Sequence, residues 1–211
     1  MIFPALNPMS EKIAKIISYA FHPLLFPLYT LIILITTKPY LSIDIPLYYS
    51  LLLLSIVLVT TILFPLLIFF ILYRKKIISS FFLPQKEERI YPILCVAAFY
   101  YLTYYLLKGV LISGFFGFYL LGATLLAIIA LITSIYHKVS LHLIGTGAFT
   151  GFFIGLMIRF GINHLLIIIP GILLSGVVGF ARLKTQSHKP VEIYTGFLTG
   201  MITMIILIIL L

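Results

Sequence analysis

Apolar runs of about 20 residues recur along this chain, the length a helix needs to cross the hydrocarbon core of a bilayer. They cover roughly residues 16–36, 47–73, 90–107, 115–136, 140–158, 164–180 and 191–211, with only short connections between them. With 63% of residues hydrophobic and 9% charged, the chain lacks the polar surface to enclose its apolar side chains in water. The sequence therefore predicts an all-α fold, a polytopic transmembrane helix bundle of about seven spans. One integral-membrane domain is expected over residues 1–211.

Local signals refine this picture. Residues 1–15 do not resemble a signal peptide, because Pro4 and Pro8 interrupt them, Glu11 precedes the lysines and no small-residue cleavage site follows. Pro23 and Pro27 are expected near the end of the first span, where proline is tolerated. In the longest polar interval, 74–89, the apolar stretch 77–83 lies between two charged groups and suggests a short interfacial helix. All 14 glycines lie at or beyond Gly109. Gly147, Gly151 and Gly155 share one helix face, Gly196 and Gly200 another, and such spacing lets helix backbones approach closely in lipid. The expected division is a close-packed, motif-bearing core over about 86–211, with the spans of about 16–73 at the periphery. The single cysteine, Cys95, excludes an intramolecular disulfide.

The net charge of +9 resides in short loops, which favours anionic headgroups, phosphate substrates and membrane orientation over nucleic acid. Seven crossings put the N-terminus, the 74–89 loop, the 137–140 turn and the 182–190 loop on one side. Of the 14 Lys and Arg residues, only Lys38, Lys108 and Arg159 fall opposite, leaving 11 on that face. Four of those (Lys86, Arg89, Lys138 and Arg182) are candidate phosphate ligands, and removing them still leaves seven against three. Loop charge therefore predicts that this face is cytoplasmic.

The stretch from Arg182 to Glu192 concentrates the chemistry: Arg182, Lys184 and Lys189 with His188 and Glu192, at a membrane boundary. Polar groups there are costly unless paired or wet. Arg182, His188 and Glu192 resemble Arg-x5-His-x3-Asp, the third motif of the type 2 phosphatidic acid phosphatase and vanadium haloperoxidase superfamily, with glutamate for aspartate. Ser140-Leu141-His142 resembles the Ser-Gly-His of its second motif. Lys86-Glu87-Glu88-Arg89-Ile90-Tyr91-Pro92 resembles its Lys-x6-Arg-Pro more loosely, since Arg89 stands three positions after Lys86 and proline does not follow it directly. Order and spacing agree from about Lys86 to Gly200.

This resemblance implies a phosphatidic acid phosphatase-like helical core and a lipid phosphatase. His188 would be the nucleophile that forms a phosphohistidine, Glu192 would hold its other ring nitrogen, and His142 would be the acid. Undecaprenyl pyrophosphate, phosphatidylglycerophosphate and phosphatidic acid are the implied substrates, in a bacterial inner membrane where many relatives act on the outer face. By residue type, Arg89 and Arg182 offer planar forks for phosphate, Lys86 and Lys138 point charges, and Ser140 with nearby backbone N–H groups further donors. Whether His188 and Glu192 form an i,i+4 helical pair depends on Pro190, which either follows the helix start or delays it. No cofactor is implied, and the five histidines and five acids show no HExxH or paired-carboxylate spacing, so no metal is expected. His22 falls on the motif face yet has the look of an interfacial histidine, as does His137; His164 lies opposite. The competing expectation is a membrane protein that binds or transports an anionic lipid or solute in the same basic pocket. Against transport, the charged residues gather at one face, whereas carriers place polar sites near the midplane.

Overall fold

The computed structural model describes residues 8–37, 46–80, 87–109 and 113–211 of the chain. Lys86 and the part of the expected interfacial helix from 81 to 83 lie outside the described residues. The helices are α1 (Pro8–Ala20), α2 (Phe26–Thr36), α3 (Leu47–Leu58), α4 (Phe64–Arg74), α5 (Ile90–Leu107), α6 (Ser113–Tyr136), α7 (Leu141–Phe160), α8 (Leu165–Lys184) and α9 (Pro190–Leu210). There is no strand among the described residues. Seven helical segments are long and apolar enough to cross a membrane: Glu11–Thr36, Leu47–Arg74, Glu87–Leu107, Gly114–Tyr136, Leu141–Phe160, Leu165–Lys184 and Pro190–Leu210. This architecture fits a multi-pass membrane protein, and its segments coincide with the runs read from the sequence.

Proline shapes the first two spans differently from expectation. The first span is broken in its interior rather than near its end. His22 takes an extended conformation (φ −68°, ψ 142°) ahead of Pro23, so the helix stops at Ala20 and a 3-10 turn, Pro23–Leu25, leads into α2. Pro23 and Pro27 each occupy the first turn of a helical segment, where no N–H donor is required. Backbone groups freed by the break find partners. The Leu24 N–H donates to His22 Nδ1 (3.4 Å), the Leu25 N–H to the His22 carbonyl (2.9 Å), and the Tyr100 hydroxyl to the Pro23 carbonyl (3.3 Å). In the second span Pro65 lacks the N–H that would reach back to Thr61, and Val59–Leu63 widens into a π-helical turn. The Thr103 hydroxyl of α5 donates there to the Thr60 hydroxyl (2.8 Å).

The expected interfacial helix does not begin at 77. A left-handed Lys76 (φ 56°) follows the end of α4, and residues 77–79 are bends with Ile78 turned inward and buried. The Ser79 N–H and hydroxyl both donate to the Glu88 carboxylate (3.0 and 3.1 Å), drawing the loop onto the start of the third span.

α7 is the most enclosed span, and its glycine face meets that of α9. A Cβ on Gly147 would collide with the Phe197 carbonyl, one on Gly151 with the Met201 carbonyl, and one on Gly200 with the Ile144 carbonyl. Both helices run in the same direction, since successive positions of one meet successive positions of the other. At their far end the Arg159 guanidinium donates to the Ile208 carbonyl (2.7 Å) and caps α9. The first span is not peripheral: Phe26, Leu31 and Leu34 are buried in the main core. The second span is exposed along most of its length, as Tyr48, Leu51, Leu67 and Phe70 show.

Candidate phosphate site

Three helices, α5, α7 and α9, begin at one end of the bundle, and α8 ends there. Backbone N–H groups at these three starts carry partial positive charge, which the C-terminal ends of α4, α6 and α8 at the same end offset, so the charge of the site is set by its side chains. The α7 and α9 starts are locked together. The Ser140 N–H donates to the Glu192 carbonyl (3.1 Å), and a Cβ on Gly196 would stand 2.8 Å from the Ser140 carbonyl.

The turn between α8 and α9 sets the reactive residues. After α8, Gln186 adopts a left-handed conformation (φ 51°), with its N–H bonded to the Leu183 carbonyl (2.9 Å) and the Ser187 N–H to the Arg182 carbonyl (3.1 Å). This tight reversal brings His188 back beside Arg182. Pro190 is the first residue of α9 and Lys189 its extended N-cap, so His188 is a loop residue. The pair with Glu192 forms nonetheless: His188 Nδ1 lies 2.7 Å from Glu192 Oε2, with the side chains only 5% and 17% exposed. Of the two alternatives open in the sequence, tertiary placement rather than a shared helix face makes the pair. Burial holds the His188 imidazole below its ordinary value; the Glu192 hydrogen bond opposes this, and the Arg182 and Lys138 charges add to it. His188 is therefore neutral near pH 7, with Nδ1–H donated to the carboxylate and the Nε2 lone pair available.

Arg89 and Arg182 are both buried and close enough for their charges to interact. Lys138 also feels both, and burial first, then Arg89, hold its ammonium below the usual lysine value, with Glu192 acting against them. Two buried guanidiniums and the partly buried Lys138 ammonium thus gather in a site that holds one carboxylate. Arg182 Nε has no hydrogen-bond partner among the described residues. Such an excess of buried positive charge is costly unless an anion balances it.

His142 and His22 complete the constellation. Their rings meet edge to face with centroids 5.3 Å apart. His142 Nε2–H donates to the Ser18 carbonyl (3.1 Å), which leaves Nδ1 as its open atom. His22 belongs to this group and is not a surface histidine. The sequence did hold a signal for it, a polar residue directly before a proline inside an apolar run, where the backbone of a spanning helix must be re-satisfied. Ser140 is fully buried, and its N–H, committed to the Glu192 carbonyl, clamps α7 to α9, while its hydroxyl has no hydrogen-bond partner among the described residues. His137 is exposed, Lys184 lies over the Phe180 ring (5.7 Å), and His164 packs against Phe153 at the opposite end. No group of three or more His, Cys, Asp or Glu side chains with metal-holding geometry occurs among the described residues.

These residues stand at the mouth of a cavity of about 650 Å³. Arg89, Arg182, His188, His142, His22 and Ser79 line it at one end, and the remaining walls are almost wholly apolar. In comparisons with known proteins, no family model, no curated protein and no solved structure matches this chain.

Proposed function

We propose that this protein is an integral-membrane lipid phosphatase that hydrolyses a phosphomonoester or pyrophosphate of a membrane lipid through a phosphohistidine. One observation carries the reading: the buried His188–Glu192 pair, 2.7 Å apart, sits beside the Arg182 and Arg89 guanidiniums at the mouth of an apolar cavity. The motif resemblance supports the same residues, and the arrangement suits a phosphatidic acid phosphatase-like core.

In this mechanism Arg89 and Arg182 hold the non-bridging oxygens, and Lys138 adds positive charge from behind. His188 Nε2 attacks phosphorus in line as the bond to the leaving oxygen breaks. His142, its Nε2–H held by the Ser18 carbonyl, takes the P–OH proton of the monoprotonated phosphate at Nδ1 and passes it to that oxygen. Neutral His142 then takes a proton from water, the resulting hydroxide attacks phosphorus, the P–N bond breaks, and phosphate leaves with that proton, restoring His188 and neutral His142. Glu192 keeps Nδ1 of His188 protonated and stabilises the charge that grows on the ring. His22, whose Nδ1 already accepts the Leu24 N–H, presents Nε2–H to the same space.

Phosphate release from a panel of lipid phosphates by the purified protein tests the assignment. Vanadate, a mimic of pentacoordinate phosphorus, should inhibit, and chelation should leave the rate unchanged because cationic side chains already hold the phosphate. Loss of turnover on chelation with recovery on a divalent ion would point to metal-assisted hydrolysis instead.

The second reading, binding or transport of an anionic lipid or solute, draws support from the broken first span that lines the cavity, since discontinuous helices frame many carrier sites. Absence of phosphate release from every lipid phosphate, with the same lipids still bound, would favour it.

Loop charge further supports a cytoplasmic site, and the motif resemblance a bacterial inner membrane. Single cysteines in place of Lys75, on the site side, and Lys108, at the other end of α5, in a Cys95→Ala background report the orientation. An impermeant thiol reagent added to intact cells should label position 108 and spare 75; the reverse pattern would overturn this orientation.

A further inference from the structure

The cavity has two chemically different ends, and only its mouth is explained by phosphate. Beyond the charged residues its walls come from five spans: Phe26 of α2, Phe69 of α4, Val96 of α5, Ala123, Ala127 and Leu126 of α6, and Ala148 of α7. Tyr100 and Tyr119 stand at the inner end, both buried, and the Tyr100 hydroxyl is committed to the Pro23 carbonyl. Tyr100 follows Arg89 by 11 positions, which places it about 16 Å deeper along the helix. The cavity thus reaches roughly the middle of a hydrocarbon core about 30 Å thick.

We propose that this inner part is a binding site for one hydrocarbon chain of the substrate, which makes the substrate class a single-chain lipid phosphate or pyrophosphate. The phosphate end of that assignment rests on the phosphatase reading. Water fits the walls poorly, because it requires two to four polar partners and the apolar walls offer almost none. A volume of about 650 Å³ matches the roughly 300–1,000 Å³ of pockets that hold one compact ligand. That is room for a phosphate and much of one chain, while a second chain would stay outside. Ala123, Ala127 and Ala130 fall at helical spacing along the α6 wall, and their small side chains keep the channel open. A chain moving from bilayer to channel exchanges one apolar surround for another, so the gain in affinity is small. What the channel imposes is shape: one slender chain, with its length limited by the two tyrosines.

The experiment uses the full chain in lipid vesicles and an alkyl phosphonate, which cannot be hydrolysed, carrying a diazirine at the end of its chain. Illumination should place the label on channel residues such as Tyr100, Ala123 or Leu126, and Ala123→Phe should remove it. Labelling confined to lipid-facing residues such as Leu125 and Ile128 would overturn the proposal. In parallel, hydrolysis of single-chain alkyl phosphates of increasing length should rise and then level off. Ala123→Phe should lower kcat/KM about tenfold or more for the longest members and leave the shortest unchanged. A two-chain phosphatidate turned over as fast as the best single-chain member would also count against it. The two readings separate cleanly. Channel labelling without hydrolysis of any member defeats the phosphatase and keeps the chain site. Hydrolysis with only lipid-facing labels does the opposite.

Discussion

Replacing His188 with alanine should abolish phosphate release, a loss on the order of 10⁴-fold or more, because His188 is the imidazole at this site held against a carboxylate with a ring nitrogen left over for attack. The variant should still bind alkyl phosphonate, since Arg89 and Arg182 are untouched. Turnover near the wild-type level in His188→Ala would remove the mechanism. Glu192→Gln keeps the shape of the side chain but not its charge, and should cost a similar order of magnitude by releasing the tautomer.

The pH profile gives an independent check with a defined sign. Protonation of His188 removes its lone pair, so activity falls as pH drops through the value of this group. Burial depresses that value, placing the acid limb below the ordinary imidazole value of about 6.5. The Lys138 charge pushes in the same direction, so Lys138→Ala should move the limb upward. The Glu192 hydrogen bond pushes the other way, so whatever activity Glu192→Gln retains should extend further into acid. Measuring kcat/KM against pH for the three proteins settles both signs.

The second large effect belongs to packing. Gly200→Ala should destabilise the protein by about 3 kcal/mol, at the upper end of the range for overpacked cores. Its Cβ would strike the Ile144 carbonyl and come within 2.8 Å of the Ala148 nitrogen, and backbone atoms cannot rotate out of the way. Gly176→Ala in α8 is the matched control. Nothing lies within 4 Å of its Cβ, so the change should be neutral or slightly stabilising, as alanine favours helix over glycine. Activity should fall with stability only in Gly200→Ala, because α7 carries Ser140 and His142 while α9 carries Glu192. Equal thermal unfolding of the two variants in detergent would show that the α7–α9 contact is not the constraint described here.

The sequence by itself determined the number of spans and nearly all of their limits. In hydrocarbon each segment must satisfy its own backbone, and that requirement is local, so it is written in consecutive residues. Parity then followed, and with it the gathering of Arg89, Lys138, His142 and Arg182 at one end. The glycine faces were visible too, but a glycine face does not name its partner, and only packing paired Gly147 and Gly151 with α9. The rest depended on contacts distant in the chain. At the break in the first span the Pro23 carbonyl is held by the Tyr100 hydroxyl from another span, and that break is what brings His22 to His142. The His188–Glu192 pair needed the left-handed Gln186 to turn the chain back, a conformation its side chain does not announce. The cavity belongs to no segment at all: it is the space that six spans leave between them, and so it exists only once they are packed.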